Sequence, residues 1–195
     1  MTPPAPGGPY GSAPAPVAAV LRWIDWMGFA GGWIAAGCLV VLTLLILAEI
    51  AVRLLSDFIA AVPADIPVAW EYSSYLMGAS FLFGAAMTLR AGSHIRVSLL
   101  LANARPAVRR ALETVSAAGG TALTVFLAWS LLSFALEAYE RDQTSISSAS
   151  PLWIPQMSLV AGAALLALQM AGRLLQALLG LPLEDERLRV SSTAE

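Results

Sequence analysis

Charged residues in this chain are gathered into short intervals, with long uncharged apolar stretches between them. The first stretch covers residues 26–48, between Asp25 and Glu49, and the second covers 72–89, between Glu71 and Arg90. The third covers 114–136, between Glu113 and Glu137, and the fourth runs from 153 to about 172, ahead of Arg173. A helix rises about 1.5 Å per residue, so about 20 residues cross a hydrocarbon core of about 30 Å. The second stretch is the shortest, with 18 uncharged residues, and Val68 to Trp70 extend it. Backbone amides in lipid need partners within their own segment, so such stretches are helices. None alternates apolar and polar residues as a barrel strand would. The pattern predicts an all-α integral membrane protein with four transmembrane helices, at about 26–50, 68–90, 112–137 and 153–176.

The ends of these stretches carry the expected punctuation. Trp23, Trp26, Trp70 and Trp153 lie where an interfacial aromatic belt belongs. Pro63 and Pro67 precede the second helix, and Pro151 and Pro155 open the fourth, where a first helical turn tolerates a missing N–H. Residues 1–20 are rich in Pro, Ala and Gly, uncharged and without apolar period, so a disordered tail is expected there. They lack the short basic region of a signal peptide, so the first helix is expected to stay as an anchor. The membrane domain then covers 21–180, and residues 181–195 form a second tail.

Composition agrees with this picture and adds an orientation. The 195 residues are 58% hydrophobic and 12% charged, with a mean hydropathy of +0.73. Soluble domains carry about twice that charge. There is no lysine, and the eleven basic residues are all arginine. Nine of them fall before the first helix, between the second and third, or after the fourth; only Arg53 and Arg141 fall in the other two loops. The positive-inside rule puts the nine, and both termini, in the cytoplasm. A net charge of −2 offers no basic face for nucleic acid. The single cysteine, Cys38, allows no intrachain disulfide, and a single histidine excludes bis-histidine haem.

Candidate chemistry is sparse. An ionisable group deep in lipid is a functional candidate by default, and none lies inside these stretches. Gln169 is the most polar group well inside one, and an interhelical hydrogen bond accounts for it. Glu49 and Arg53 stand one helical turn apart, as an interfacial pair or as a charged contact with another subunit. Trp70 and Glu71 open the second helix, where a carboxylate complements the dipole and an indole anchors at headgroup level. Past Arg90, a Gly92 turn leads to His94 and Arg96 among Ile95, Val97, Leu99 and Leu100. That segment reads as lying along the headgroups, with lipid or partner contact favoured over metal ligation. Gly28 with Gly32, Ser80 with Gly84, and Ala163, Ala167 and Ala171 have the spacing of close helix packing.

The segment WEYSSYLMGASFLFGAAMTLRAGSHIRVSLL resembles the small membrane subunit, a DctQ-like small permease, of tripartite ATP-independent periplasmic (TRAP) transporters. The matching positions are Trp70, Glu71, Gly84, Ala85, Arg90, His94, Ile95, Arg96 and Val97. The later TSISSASPLWIPQMSLVAGAALLALQM is similar to the family's approach to its fourth helix, with Pro151, Trp153 and Pro155. The likeness covers roughly residues 24–179. Two positions depart from it: Tyr72 and Ser98 stand where the family often carries acids.

The resemblance implies a non-enzymatic scaffold in the bacterial inner membrane. Its partners would be a large permease subunit, a periplasmic substrate-binding protein that captures a small organic carboxylate, and membrane lipids. No cofactor is expected here, because sodium coupling belongs to the large subunit. Partner or lipid contact then falls to Trp70, Glu71, Gly84, Arg90, His94, Arg96, Glu49, Arg53 and Trp153, and the tail over 1–20 is expected to be dispensable for transport. A stand-alone homo-oligomeric exporter is the alternative. It needs a titratable carboxylate in the membrane, and Glu49 is the nearest. A membrane redox enzyme would need the cysteine pairs or histidines this chain lacks.

Overall fold

The computed structural model describes residue 10 and residues 13–59, 63, 65–90 and 106–181, the side chains of 90, 106, 107 and 109 excepted. Its elements are four helices: α1 (Ala15–Ser56), α2 (Ala69–Arg90), α3 (Pro106–Glu140) and α4 (Trp153–Leu179). No strand occurs among the described residues; Thr144 and Pro151 form an isolated antiparallel bridge.

Contacts at the glycines define the topology. A Cβ added at Gly32 would meet Met87, and one at Gly84 would meet Ala35, so α1 and α2 run antiparallel. Gly78 faces Leu159 and Gly162 faces Leu82, so α2 and α4 run parallel. Gly31 faces Leu165 and Gly172 faces Ile24, and Gly120 faces Met170, so α1 and α3 each run antiparallel to α4. The bundle is therefore up-down. α1 packs chiefly on α2 and α3 on α4, while α2 and α4 meet in the middle. The small residues at these crossings let backbones approach closely, which is how helices gain packing energy without a hydrophobic drive in lipid. Alanine and glycine dominate what is buried: Gly28, Gly31 and Ala35 in α1, Ala79 and Ala86 in α2, and Gly162, Ala163, Ala167 and Gly172 in α4. Large apolar side chains such as Trp26, Trp33, Phe81, Phe126 and Trp129 point outward.

Hydroxyl groups are turned back onto their own helices. Thr43 donates to the Leu39 carbonyl at 2.8 Å, Ser74 to Trp70 at 3.0 Å, Thr121 to Ala117 at 2.7 Å and Ser133 to Trp129 at 3.0 Å. This removes free donors from the helix surfaces. Gln169 is buried and donates across to the Ile24 carbonyl at 2.5 Å, the interhelical bond its position called for.

Several boundaries differ from the sequence reading. By length and apolarity three helices qualify as membrane spans, α1, α4 and the Arg110–Glu140 part of α3. α2 is helical over the expected residues, yet Tyr72, Ser73, Ser74, Tyr75, Ser80 and Thr88 dilute its apolar character. Its place between α1 and α4 lets it be less apolar. α3 starts earlier and ends later than 112–137, because its charged ends continue the helix past the uncharged part. α4 extends beyond 176 to a Gly180 cap at φ 67°.

The tail reading needs the largest correction. Residues 15–20, placed in the disordered segment, are the first turns of α1, with Pro14 at the N-cap and Pro16 in the first turn, where proline is tolerated. Tyr10 is buried as well. Residues 1–9, 11, 12 and 182–195 lie outside the described residues.

Candidate functional site

One end of the bundle gathers the C-terminus of α1, the start of α2, and the loop from α3 to α4. That loop is folded on itself. Ser145 N–H donates to the Ser150 carbonyl at 2.9 Å, Ala149 N–H to the Ser145 carbonyl at 3.0 Å, and Leu152 N–H to the Gln143 carbonyl at 3.0 Å. Asp142 and Ala149 adopt positive φ, 46° and 53°. Such conformations cost about 1 kcal/mol or more for a residue with a side chain and persist where surroundings enforce them.

Glu71 is the centre of this end. Its Oε2 accepts from the hydroxyls of Ser145 and Ser147, and from Ser148 at 3.4 Å. Its Oε1 accepts from the Tyr75 hydroxyl at 3.1 Å. A Ser148–Ser150 hydroxyl contact of 2.6 Å extends the network. Glu71 precedes the uncharged stretch of α2 and stands outside it. The hydroxyls of Ser145 and Ser147 hold its carboxyl below the ordinary carboxylate value. One carboxylate in the first turn of α2 thus ties down the loop leading into α4. Ile146, between two of the bonded serines, is left fully exposed.

The other predicted residues take varied positions. Trp70 is 86% exposed beside Glu71. Trp153 meets Tyr139 edge-on, with ring centroids 5.6 Å apart. Glu49 pairs with Arg53 at 3.5 Å, and its Oε2 also accepts the Ile66 backbone N–H at 2.8 Å. That second bond pins the α1–α2 loop. Gly84 lies at the α1–α2 crossing, where an added Cβ would be 3.6 Å from that of Ala35. Arg90 ends α2, and its side chain is not among those described; His94 and Arg96 lie outside the described residues. Trp70, Glu71, Glu49, Arg53 and Trp153 therefore share one end of the molecule, and Gly84 sits inside the bundle.

Sequence reasoning missed the serine partners of Glu71. The run from Ser145 to Ser150 is visible in the sequence, and a hydroxyl-rich loop on the same side as an acid that opens a helix was the available signal. It also missed two arginines that cap neighbouring helices at the opposite end. Arg173 on α4 donates to the Leu89 carbonyl of α2 at 3.3 Å. Arg110 on α3 lies over Gly180, beyond the C-terminus of α4. Terminal carbonyls lack intrahelical partners and attract cations, and the Arg173 bond to Leu89 is of this kind.

No group of three or more His, Cys, Asp or Glu suited to a metal ion occurs among the described residues. The arrangement ties the start of α2 to the α3–α4 loop through a carboxylate and hydroxyls, and α4 to the end of α2 through an arginine and a carbonyl. The family model described as tripartite ATP-independent periplasmic transporters, DctQ component, matches residues 42–180 of the chain. No curated protein and no solved structure matches it.

Proposed function

Because this chain belongs to the DctQ component family of tripartite ATP-independent periplasmic transporters, we propose that it is the small scaffold subunit of a secondary transporter importing a small organic carboxylate. A DctQ component is a transporter subunit and not an enzyme. Its partners are a large permease subunit and a periplasmic substrate-binding protein. It sits in the bacterial inner membrane with α2 as the fourth span and both termini in the cytoplasm, an orientation supported by nine arginines against two. The Glu71 end then faces the periplasm. Sodium coupling belongs to the large subunit, and this chain carries no cofactor. His94 and Arg96 hold phospholipid headgroups or the large subunit.

The observation that carries this reading is the family match across the bundle, from the second half of α1 to the end of α4. The polar groups support it. Glu49, Glu71 and Gln169 are engaged by their own chain, which suits a scaffold better than a carrier with a titrating carboxylate. Affinity purification of the tagged chain from native membranes in mild detergent, with mass spectrometry, tests it. A large polytopic permease at near-equal amount is expected. Recovery of this chain alone, with antiport activity after reconstitution, would favour the homo-oligomeric exporter.

A further inference from the structure

The end of the bundle opposite Glu71 is closed by a residue outside the matched region 42–180. Tyr10 is 8% exposed, with its ring packed against Leu21 and Leu181 and bordered by Val17 and Leu175. Its hydroxyl donates to Asp25 Oδ2 at 2.6 Å and accepts from Gln176 Nε2 at 3.3 Å. Those two partners sit on α1 and α4. Backbone geometry supports the placement from both sides. Ala13 N–H donates to the Tyr10 carbonyl at 3.0 Å, turning the chain into α1. Gly180 at φ 67° turns the chain out of α4, with Leu181 N–H bonded to the Gln176 carbonyl at 2.9 Å. This is the turn that brings Leu181 over the ring, and a left-handed residue at that point favours glycine.

We propose that Tyr10 acts as a strap, fastening the N-terminal end of α1 to the C-terminal end of α4. α1 is otherwise held mainly by α2, and it meets α4 less extensively, around Leu21, Ile24 and Gly31. The strap adds a buried ring and two hydrogen bonds to that smaller interface. A buried tyrosine whose hydroxyl is satisfied on both sides has little freedom to leave alone. The strap therefore makes the two helix ends one cooperative unit, and release of Tyr10 frees both together. Tyr10 lies within the 1–20 tail that the sequence reading expects to be dispensable. The proposal stands apart from the transporter reading, because it concerns contacts within this chain alone.

Hydrogen exchange of the full chain in detergent tests the strap, comparing wild type with Tyr10→Ala. Local opening free energies report such cooperative units. Exchange is expected to quicken by about tenfold or more in two places, residues 13–24 and residues 175–181, while 156–165 keeps its protection. Tyr10→Phe keeps the ring and guards against wholesale unfolding; it should quicken the same two segments by a smaller factor. Unchanged protection of 175–181 in either variant, or a change confined to 13–20, overturns the proposal.

Discussion

Glu71 shows how much a single side chain can organise. A carboxylate in the first turn of a helix is favoured by the dipole, and here it also receives hydroxyls from a loop more than seventy positions away in sequence. Hydrogen bonds to the charged form lower its pKa, so the ionised group favours the folded state. The sign follows from linkage: a folded pKa below the unfolded one gives stability that is complete above the ordinary carboxylate range and is lost as pH falls through the lowered value. The expected result is a lower Tm for Glu71→Gln than for wild type at neutral pH. That gap should stay constant at higher pH and close as pH drops below the ordinary carboxylate range. Thermal unfolding of both proteins across pH checks it, and a gap independent of pH would show that the charge is not what the loop binds.

Between elements, the glycines are not equivalent, and their surroundings rank them. At Gly162 an added Cβ would lie 2.8 Å from the Leu82 Cβ and 3.5 Å from the Phe83 backbone nitrogen, atoms that move only if α2 moves. Overpacking of this kind costs about 1–3 kcal/mol. At Gly120 the nearest atom is the Met170 Cε at 2.5 Å, the far end of a flexible side chain that can swing away. At Gly37 nothing lies within 4 Å, so alanine should add about 0.5–1 kcal/mol of helix stability. The expected order of Tm in detergent is Gly37→Ala at or above wild type, Gly120→Ala slightly below, and Gly162→Ala lowest. Equal behaviour at Gly162 and Gly37 would mean that the α2–α4 crossing is looser than drawn.

At the scale of the whole molecule, orientation rests on charge, and a labelling experiment decides it. With Cys38 replaced by serine, single cysteines at Ser147 and at Ser191 should respond oppositely to a membrane-impermeant maleimide added outside intact spheroplasts. Ser147→Cys is expected to label and Ser191→Cys to remain protected until the membrane is opened. The reverse pattern would invert the molecule or remove one span ahead of Ser147, and labelling of both would mean that α4 does not cross. The reverse pattern bears directly on α2, which forms a helix of 22 residues yet is less apolar than its neighbours. Two of its sides are covered by α1 and α4, while Phe81 and Met77 face outward.

The sequence by itself settled what depends on local composition. Helices at the four uncharged stretches, the small residues at their crossings, the exposed indole of Trp70 and the Gln169 bond all follow from solubility in lipid and helical spacing, which neighbouring residues decide. It also carried the family, through a run of positions around Trp70 to Val97. The tertiary structure decided which distant groups meet. Glu71 finds Ser145 and Ser147, Arg173 finds the Leu89 carbonyl, Arg110 covers Gly180, and Tyr10 reaches Asp25 and Gln176. All but the Tyr10–Asp25 pair join residues that no hydropathy window contains together. Their partners exist only once the helices lie side by side in one order. The apolar pattern makes a helix face lipid or protein, but it does not say which helix end comes to rest beside which.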